Sequence, residues 1–240
     1  MDDDKPLAGR VALVTGASRG IGAAIATRFA AAGAHVVLVA RTVGGLEDVD
    51  DAIRTASGSA TLVPLDLRQL DAIDPLGPQL LQRFGRLDIL VGNAGLLGTL
   101  GPLTHHDPKL FDDVFAVNVA ANWRLMRTTE PLLRRSDAGR AIFVTSGAGA
   151  QPKAYRGVYG TSKAALEMMV RTWAIELADT SIRVNLLSPG PTRTKMRTQV
   201  MPGEDPSTLK PPEAVAEAAL PLARPDCGRH GEIVEIHSGT

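Results

Sequence analysis

Short apolar runs alternate along this chain with longer segments whose apolar residues recur three or four positions apart. Residues 10–15, 35–40, 60–65, 87–91, 141–146, 182–187 and 232–236 are runs of five or six, rich in valine, leucine, isoleucine and alanine. Runs this short, apolar and bounded by turn residues predict seven buried strands. Helices are predicted between them. Residues 21–32 are alanine-rich and end at Gly33; a second segment carries Leu46, Val49 and Ile53 on one face; 107–135, 155–179 and 213–222 follow. Residues 191–212 are rich in proline, threonine and charge, and a loop of that length predicts a mobile cover over a pocket.

Strand and helix in regular alternation indicate the α/β class, and 240 residues without repeat, low-complexity tract or linker suit one domain spanning 1–240. Composition narrows the partners. Twenty-six basic and 26 acidic side chains cancel, which argues against nucleic acid or an anionic membrane surface. No run approaches the ~20 apolar residues of a membrane span, and the acidic start Met1-Asp-Asp-Asp-Lys5 has the wrong charge for a secretory leader, so a cytoplasmic protein is expected. Cys227 is the only cysteine, so no intrachain disulfide forms, and it is expected to pack as a small apolar side chain. No metal site is expected; His105-His106, beside Asp107-Pro108, reads as a solvated helix entry.

Three stretches carry candidate chemistry. The first strand runs into Gly16-Ala17-Ser18-Arg19-Gly20-Ile21-Gly22, a strand, glycine turn and helix in succession. Glycines adopt backbone angles closed to other residues and let a phosphate approach the main chain, whose free helix-start N–H groups then face it. Without a ligand the same residues form a tight turn. The second stretch is the end of the second strand, where dinucleotide folds that take NAD place an acid against the adenosine ribose. Arg41 stands there instead; with Arg19 it suits the additional 2′-phosphate of NADP, unless both are merely solvated. NADP(H) is therefore preferred, with NAD(H) possible. Asp66, at the end of the third strand, either accepts a hydrogen bond from an adenine amino group or caps the segment after it. After the fourth strand, Asn93-Ala94-Gly95 is small where bulk would collide with a cofactor lying across the sheet edge.

The third stretch runs from Ser146 to Lys163. Ser146 ends the fifth strand, and Tyr159 and Lys163 lie four residues apart, on one face of a helix if one forms. A free phenol titrates near pH 10; bringing it to neutrality takes ~4 kcal/mol, which a neighbouring ammonium and cofactor charge are expected to supply. Tyr155, the chain's other tyrosine, has no lysine at that spacing. Asn118 sits alone among Leu110, Phe111, Val114, Phe115, Val117 and Val119 and must satisfy its amide, either on backbone or on a held water.

Jointly, Thr15-Gly-x-x-x-Gly-x-Gly22, Asp66-Leu67, Asn93-Ala94-Gly95, Asn118, Ser146, Tyr159-x-x-x-Lys163 and Pro189-Gly190 with Thr194 resemble the short-chain dehydrogenase/reductase family over nearly the whole chain. The resemblance implies a doubly wound Rossmann fold of seven parallel strands with helices on both faces, assembled as a homotetramer or homodimer through the two long helices. It implies that Tyr159 is the general acid or base, that Lys163 lowers its pKa and bonds the nicotinamide ribose, that Ser146 bonds the substrate oxygen and that Asn118 holds a relay water. Gly190, the Thr192 backbone and the Thr194 hydroxyl match the segment holding the nicotinamide. Gly92 and Gly147 depart from residues common in the family, and Pro191 lacks an N–H. The expected activity is NADP(H)-dependent reduction of a ketone or aldehyde, or oxidation of a secondary alcohol. A 3-oxoacyl thioester reductase is the near alternative, and a catalytically silent NADP(H)-sensing binding protein the alternative of another class.

Overall fold

The computed structural model describes residues 5–236, so the acidic start at residues 1–4 lies outside the described residues. Seven strands form one sheet: β1 (Val11–Thr15), β2 (His35–Ala40), β3 (Ser59–Pro64), β4 (Ile89–Gly92), β5 (Arg140–Val144), β6 (Arg183–Ser188) and β7 (Ile233–Glu235). Their order is β3-β2-β1-β4-β5-β6-β7, with every pair parallel. The chain winds outward from β1 to one side and then from β4 to the other. Between β1 and β4 the connections diverge, and their carboxyl ends open a crevice at the edge where ligands of such sheets bind.

Each face of the sheet is covered by helices. Helices α1 (Gly20–Ala31), α2 (Val43–Thr55) and α9 (Pro212–Ala223) close one side, where Ile25, Phe29, Leu46, Ile53 and Val215 pack on Val36, Leu38 and Ile89. On the other side lie α3 (Leu76–Phe84), α5 (Ala121–Leu133) and α7 (Gly157–Glu176), with Leu80, Leu125, Leu166 and Val170 against Leu13, Leu90, Phe143 and Leu186. Alternate residues of each strand therefore enter different cores, the physical reason the strand runs are apolar throughout. Half-buried Cys227 packs against the first of these cores.

Several elements differ from the sequence expectation. Helix α3 was not expected; its Pro78 lies in the first turn, where the missing N–H costs no internal bond, and Gly85 ends it at φ 75°. The expected helix over 107–135 is three pieces: α4 (Pro108–Phe115), a π-helical segment Ala116–Ala120, and α5. Asp107 caps α4 by accepting from the Lys109 N–H, so the histidine pair does precede a helix entry. The long helix expected from 155 begins at Gly157, because Tyr155 has a left-handed backbone, φ 65°, that no helical residue can take. Two short helices were also not expected: α6 (Gly147–Ala150), and α8 (Lys195–Val200), which with a 3-10 turn at Pro206–Thr208 gives the 191–212 segment structure of its own. That segment is tied by an Arg197–Glu204 ion pair and by a bridge between Thr192 and Lys210.

Candidate active site

The glycine turn is built as much by packing as by backbone freedom. Gly16 and Gly20 have φ of 66° and 56°, angles that disfavour a side chain. Gly22 is needed for a different reason: a Cβ there would lie 2.3 Å from the Gly16 carbonyl oxygen and 2.4 Å from Asn93 Nδ2. Asn93 Nδ2 donates to the Thr15 carbonyl at 2.9 Å, and the N–H groups of Asn93 and Ala94 donate to Thr15 Oγ1 at 3.0 and 3.1 Å. Asn93 thus latches the end of β4 to the end of β1. Ser18 packs under the start of α2, where a Cβ on Gly45 would lie 3.0 Å from its own. No side chain caps α1 at exposed Arg19, and its first turn, Gly20, Ile21 and Gly22, holds no acid. A helix start with free N–H groups, left-handed glycines and no competing carboxylate fits a phosphate-bearing group.

Beyond β2 and β3 the same edge forms a cleft of about 550 Å³ lined by Arg41, Thr42, Pro64, Leu65, Asp66 and Gln69. Arg41 is exposed at its mouth. Asp66 caps no helix; its carboxylate accepts from the Arg68 N–H at 3.0 Å and from the Arg68 guanidinium, which holds it below the usual carboxylate range. Leu67, which follows it in the Asp66-Leu67 motif, is 7% exposed and packs its side chain into the second core. On the far side of the crevice, Gly190 turns at φ 63° and the buried Thr192 donates Oγ1 to the Gly190 carbonyl. Thr194 Oγ1 accepts from the Arg197 N–H, capping α8, and its methyl lies 3.5 Å from where a Cβ on Gly20 would stand. Thr194 therefore lies against Gly20 at the start of α1.

Between these two arms stand the polar groups expected for chemistry. Ser146 leaves β5 and caps α6 by accepting from the Ala148 N–H. Its hydroxyl is the polar group whose influence opposes burial at the Tyr159 phenol. Lys163, one turn on, is 3% exposed; its Nζ donates to the Val144 carbonyl at 2.8 Å and lies 5.8 Å from the Tyr159 ring centre. Asn118 is fully buried in the π-helical segment, accepting from the Leu96 N–H at 2.7 Å and donating to the Leu96 carbonyl and Ser162 Oγ, both at 2.9 Å. Both of its amide protons are thus engaged, by backbone and by Ser162. A Cβ on Gly95 would sit 3.4 Å from Asn118 Oδ1 and 3.6 Å from Lys163 Nζ, which joins the Asn93–Gly95 loop to this cluster.

The electrostatics depart from expectation. Burial pushes the Tyr159 phenol up, against opposing contributions from the Ser146 hydroxyl and from Arg156. The Lys163 ammonium is buried against a main-chain carbonyl, and desolvation lowers its own pKa from 10.5 to about 8, with Glu167 opposing. Sequence reasoning missed Glu167, although it continues the four-residue spacing, and Arg68, although it lies two residues from Asp66. Gly92 is explained by packing: a Cβ there would lie 2.4 Å from the Phe143 ring and 2.6 Å from Asn122 Oδ1.

A doubly wound parallel sheet, with a glycine turn at its switch point and a tyrosine and lysine in the adjoining crevice, defines a dinucleotide-fold enzyme. Residues 10–205 match the short chain dehydrogenase family model. An uncharacterized oxidoreductase, YciK, of Escherichia coli K12 is 37% identical over 92% of this chain and 88% of its own. The 2,3-dihydro-2,3-dihydroxybenzoate dehydrogenase of Bacillus subtilis is 32% identical over 84% of this chain and 77% of its own. A short chain dehydrogenase structure from Escherichia coli CFT073, complexed with NADPH, superposes with a TM-score of 0.91 at 36% identity, covering 97% of this chain and 98% of that one. The chain belongs to the short-chain dehydrogenase family and is an oxidoreductase.

Proposed function

We propose that this enzyme uses NADP(H) to reduce a ketone or aldehyde, or to oxidise a secondary alcohol, with Tyr159 as the acid or base. The observation that carries the reading is Lys163, one turn along α7 from Tyr159, with its Nζ 5.8 Å from the Tyr159 ring centre and bonded to the Val144 carbonyl at the strand end that leads to Ser146. The cofactor would be held by the α1 start and glycine turn at its phosphates, by Arg41 and Arg19 at the 2′-phosphate, and by Thr192 and Thr194 at the nicotinamide end. When bound, it supplies or accepts the hydride. Ser146 orients the substrate oxygen toward Tyr159, which delivers the proton in reduction and withdraws it in oxidation. The Lys163 ammonium stabilises charge on the phenol oxygen as that proton leaves, which counters the upward pull of burial.

The NADPH complex of a relative at 36% identity supports the cofactor assignment, as does the absence of an acid at position 41. A mobile cover over 191–212 fits a cavity of about 230 Å³ inside that segment, lined by Arg193, Thr194, Met201 and Leu209 among others. Exposed Trp123 on α5 and Met168 and Ile175 on α7 favour pairing of these helices between subunits as a dimer or tetramer. The test of the chemistry is Tyr159→Phe, assayed by NADPH absorbance against a panel of carbonyl compounds. Turnover should fall by about 10²–10⁴-fold while NADPH still binds. A variant as fast as the wild type removes Tyr159 from the reaction.

A further inference from the structure

Tyr159, Lys163 and Glu167 occupy successive turns of α7 at four-residue spacing, so all three side chains share one face. Tyr159 and Lys163 belong to the reading above; Glu167 has no part in it. Yet its carboxylate points inward. Oε1 accepts a hydrogen bond from Thr145 Oγ1 at 2.5 Å, and a Cβ on Gly149 of α6 would lie 2.7 Å from the same oxygen. Thr145 immediately precedes Ser146, is 2% exposed, and donates its own N–H to the Leu187 carbonyl on β6. Glu167 therefore grips the strand end from which the Ser146 hydroxyl emerges, and it packs against the short helix that Ser146 caps.

Its charge also has few rivals. Among the described residues, the groups of other elements placed beside the Lys163 ammonium, the Val144 carbonyl of β5 and Gly95, are neutral. Arg156 acts on Tyr159, and Glu167 is the acid whose field supports the lysine charge against burial.

We propose that Glu167 is a positioning residue of this active site, fixing the Thr145–Ser146 strand end by one hydrogen bond and setting a negative charge one turn from the Lys163 ammonium. This rests on the roles given above to Tyr159 and Lys163. The two actions separate by substitution. Glu167→Gln keeps an oxygen for Thr145 to donate to but removes the charge, whereas Thr145→Val removes the donor and keeps the charge.

The experiment measures kcat and KM against pH for both variants, with NADPH and a carbonyl compound that the wild type reduces. With the charge gone, Lys163 loses its proton at lower pH. The alkaline limb of kcat/KM in Glu167→Gln should then move acidward by at least about half a pH unit, with kcat at pH 8 down at least about three-fold and the KM for NADPH within about two-fold. Thr145→Val should lower kcat by about three-fold or more without moving the limb. An unmoved limb in Glu167→Gln overturns the inference whatever happens to kcat. If Glu167→Gln does not fold, Thr145→Val decides: an unchanged kcat overturns the inference, and a lowered kcat with an unchanged melting curve supports it. Tyr159→Phe separates the two levels. An inactive Tyr159→Phe beside an unmoved limb sinks this inference alone, and a fully active one sinks the reading beneath it as well.

Discussion

Asp88 and Lys163 are both buried, at opposite edges of one sheet, and their surroundings differ in kind. At the amino-terminal edge Asp88 is fully buried and accepts from Ser136 Oγ at 2.6 Å, the Val11 N–H at 2.8 Å, and the guanidinium groups of Arg86 and Arg10. Arg10 goes on to the Asp137 carboxylate and the Ala138 carbonyl, while nearby Arg140 donates to the carbonyls of Gly139, Ser181, Arg224 and Pro225. These charges are met by full sets of partners. At the carboxyl-terminal edge Lys163 has one main-chain carbonyl and one acid a turn away. A charge fully matched by its neighbours holds strands in register; a charge left partly unmatched is available to a ligand or to a reacting oxygen.

The sharpest way to break this contrast is to remove the acid from the stabilising edge. Asp88→Ala removes the buried carboxylate from Arg10, leaving it only the exposed Asp137 carboxylate, and strips Ser136 and the Val11 N–H of their acceptor; it should destabilise the protein by about 3–5 kcal/mol in urea unfolding. A loss below about 1 kcal/mol would mean that the network is ornamental. At the other edge, Lys163 should cost stability. In the unfolded chain it titrates near 10.5 and in the folded protein at about 8, so between those values the unfolded chain binds the extra proton. Stability therefore falls as pH drops from 10.5 to about 8, and below that the deficit is ~3 kcal/mol. Lys163→Met removes the titration. Its unfolding free energy, compared with that of the wild type, should show a difference that moves in the wild type's favour as the pH is raised from 7.5 toward 10.5. A difference independent of pH would show that Lys163 is not under strain from burial.

The smallest effect is expected furthest from the crevice centre. Arg41→Asp places a carboxylate at the mouth of the cleft it shares with Asp66 and should raise the KM for NADPH by about ten-fold or more while lowering that for NADH, since a hydrogen bond to a charged group is worth about 1.5–3 kcal/mol. Equal Michaelis constants before and after would remove Arg41 from cofactor choice.

Much of the frame was legible because it depends on local pattern. The run over 35–40 is β2 to the residue: after half-buried His35 every position is apolar and buried, and the strand stops where polarity returns at Arg41. The spacing of Tyr159 and Lys163 was readable for the same reason: four residues is one helical turn wherever the helix begins. Tyr155 was not, because its left-handed backbone is held from outside the helix, where the Gly101 N–H donates to its carbonyl. Nor was the π-helical segment around Asn118, whose looser turn carries no residue signature.

Residue types and intervals along the chain thus determined the class of fold, the glycine turn and the company that Ser146, Tyr159 and Lys163 keep. Tertiary structure alone decided how burial moves the titrations of Tyr159 and Lys163. Burial depends on what distant segments contribute, such as the Val144 carbonyl nineteen residues before Lys163 and the Gly95 loop beyond it, and a side chain's hydration is a property of that enclosure rather than of its neighbours in sequence.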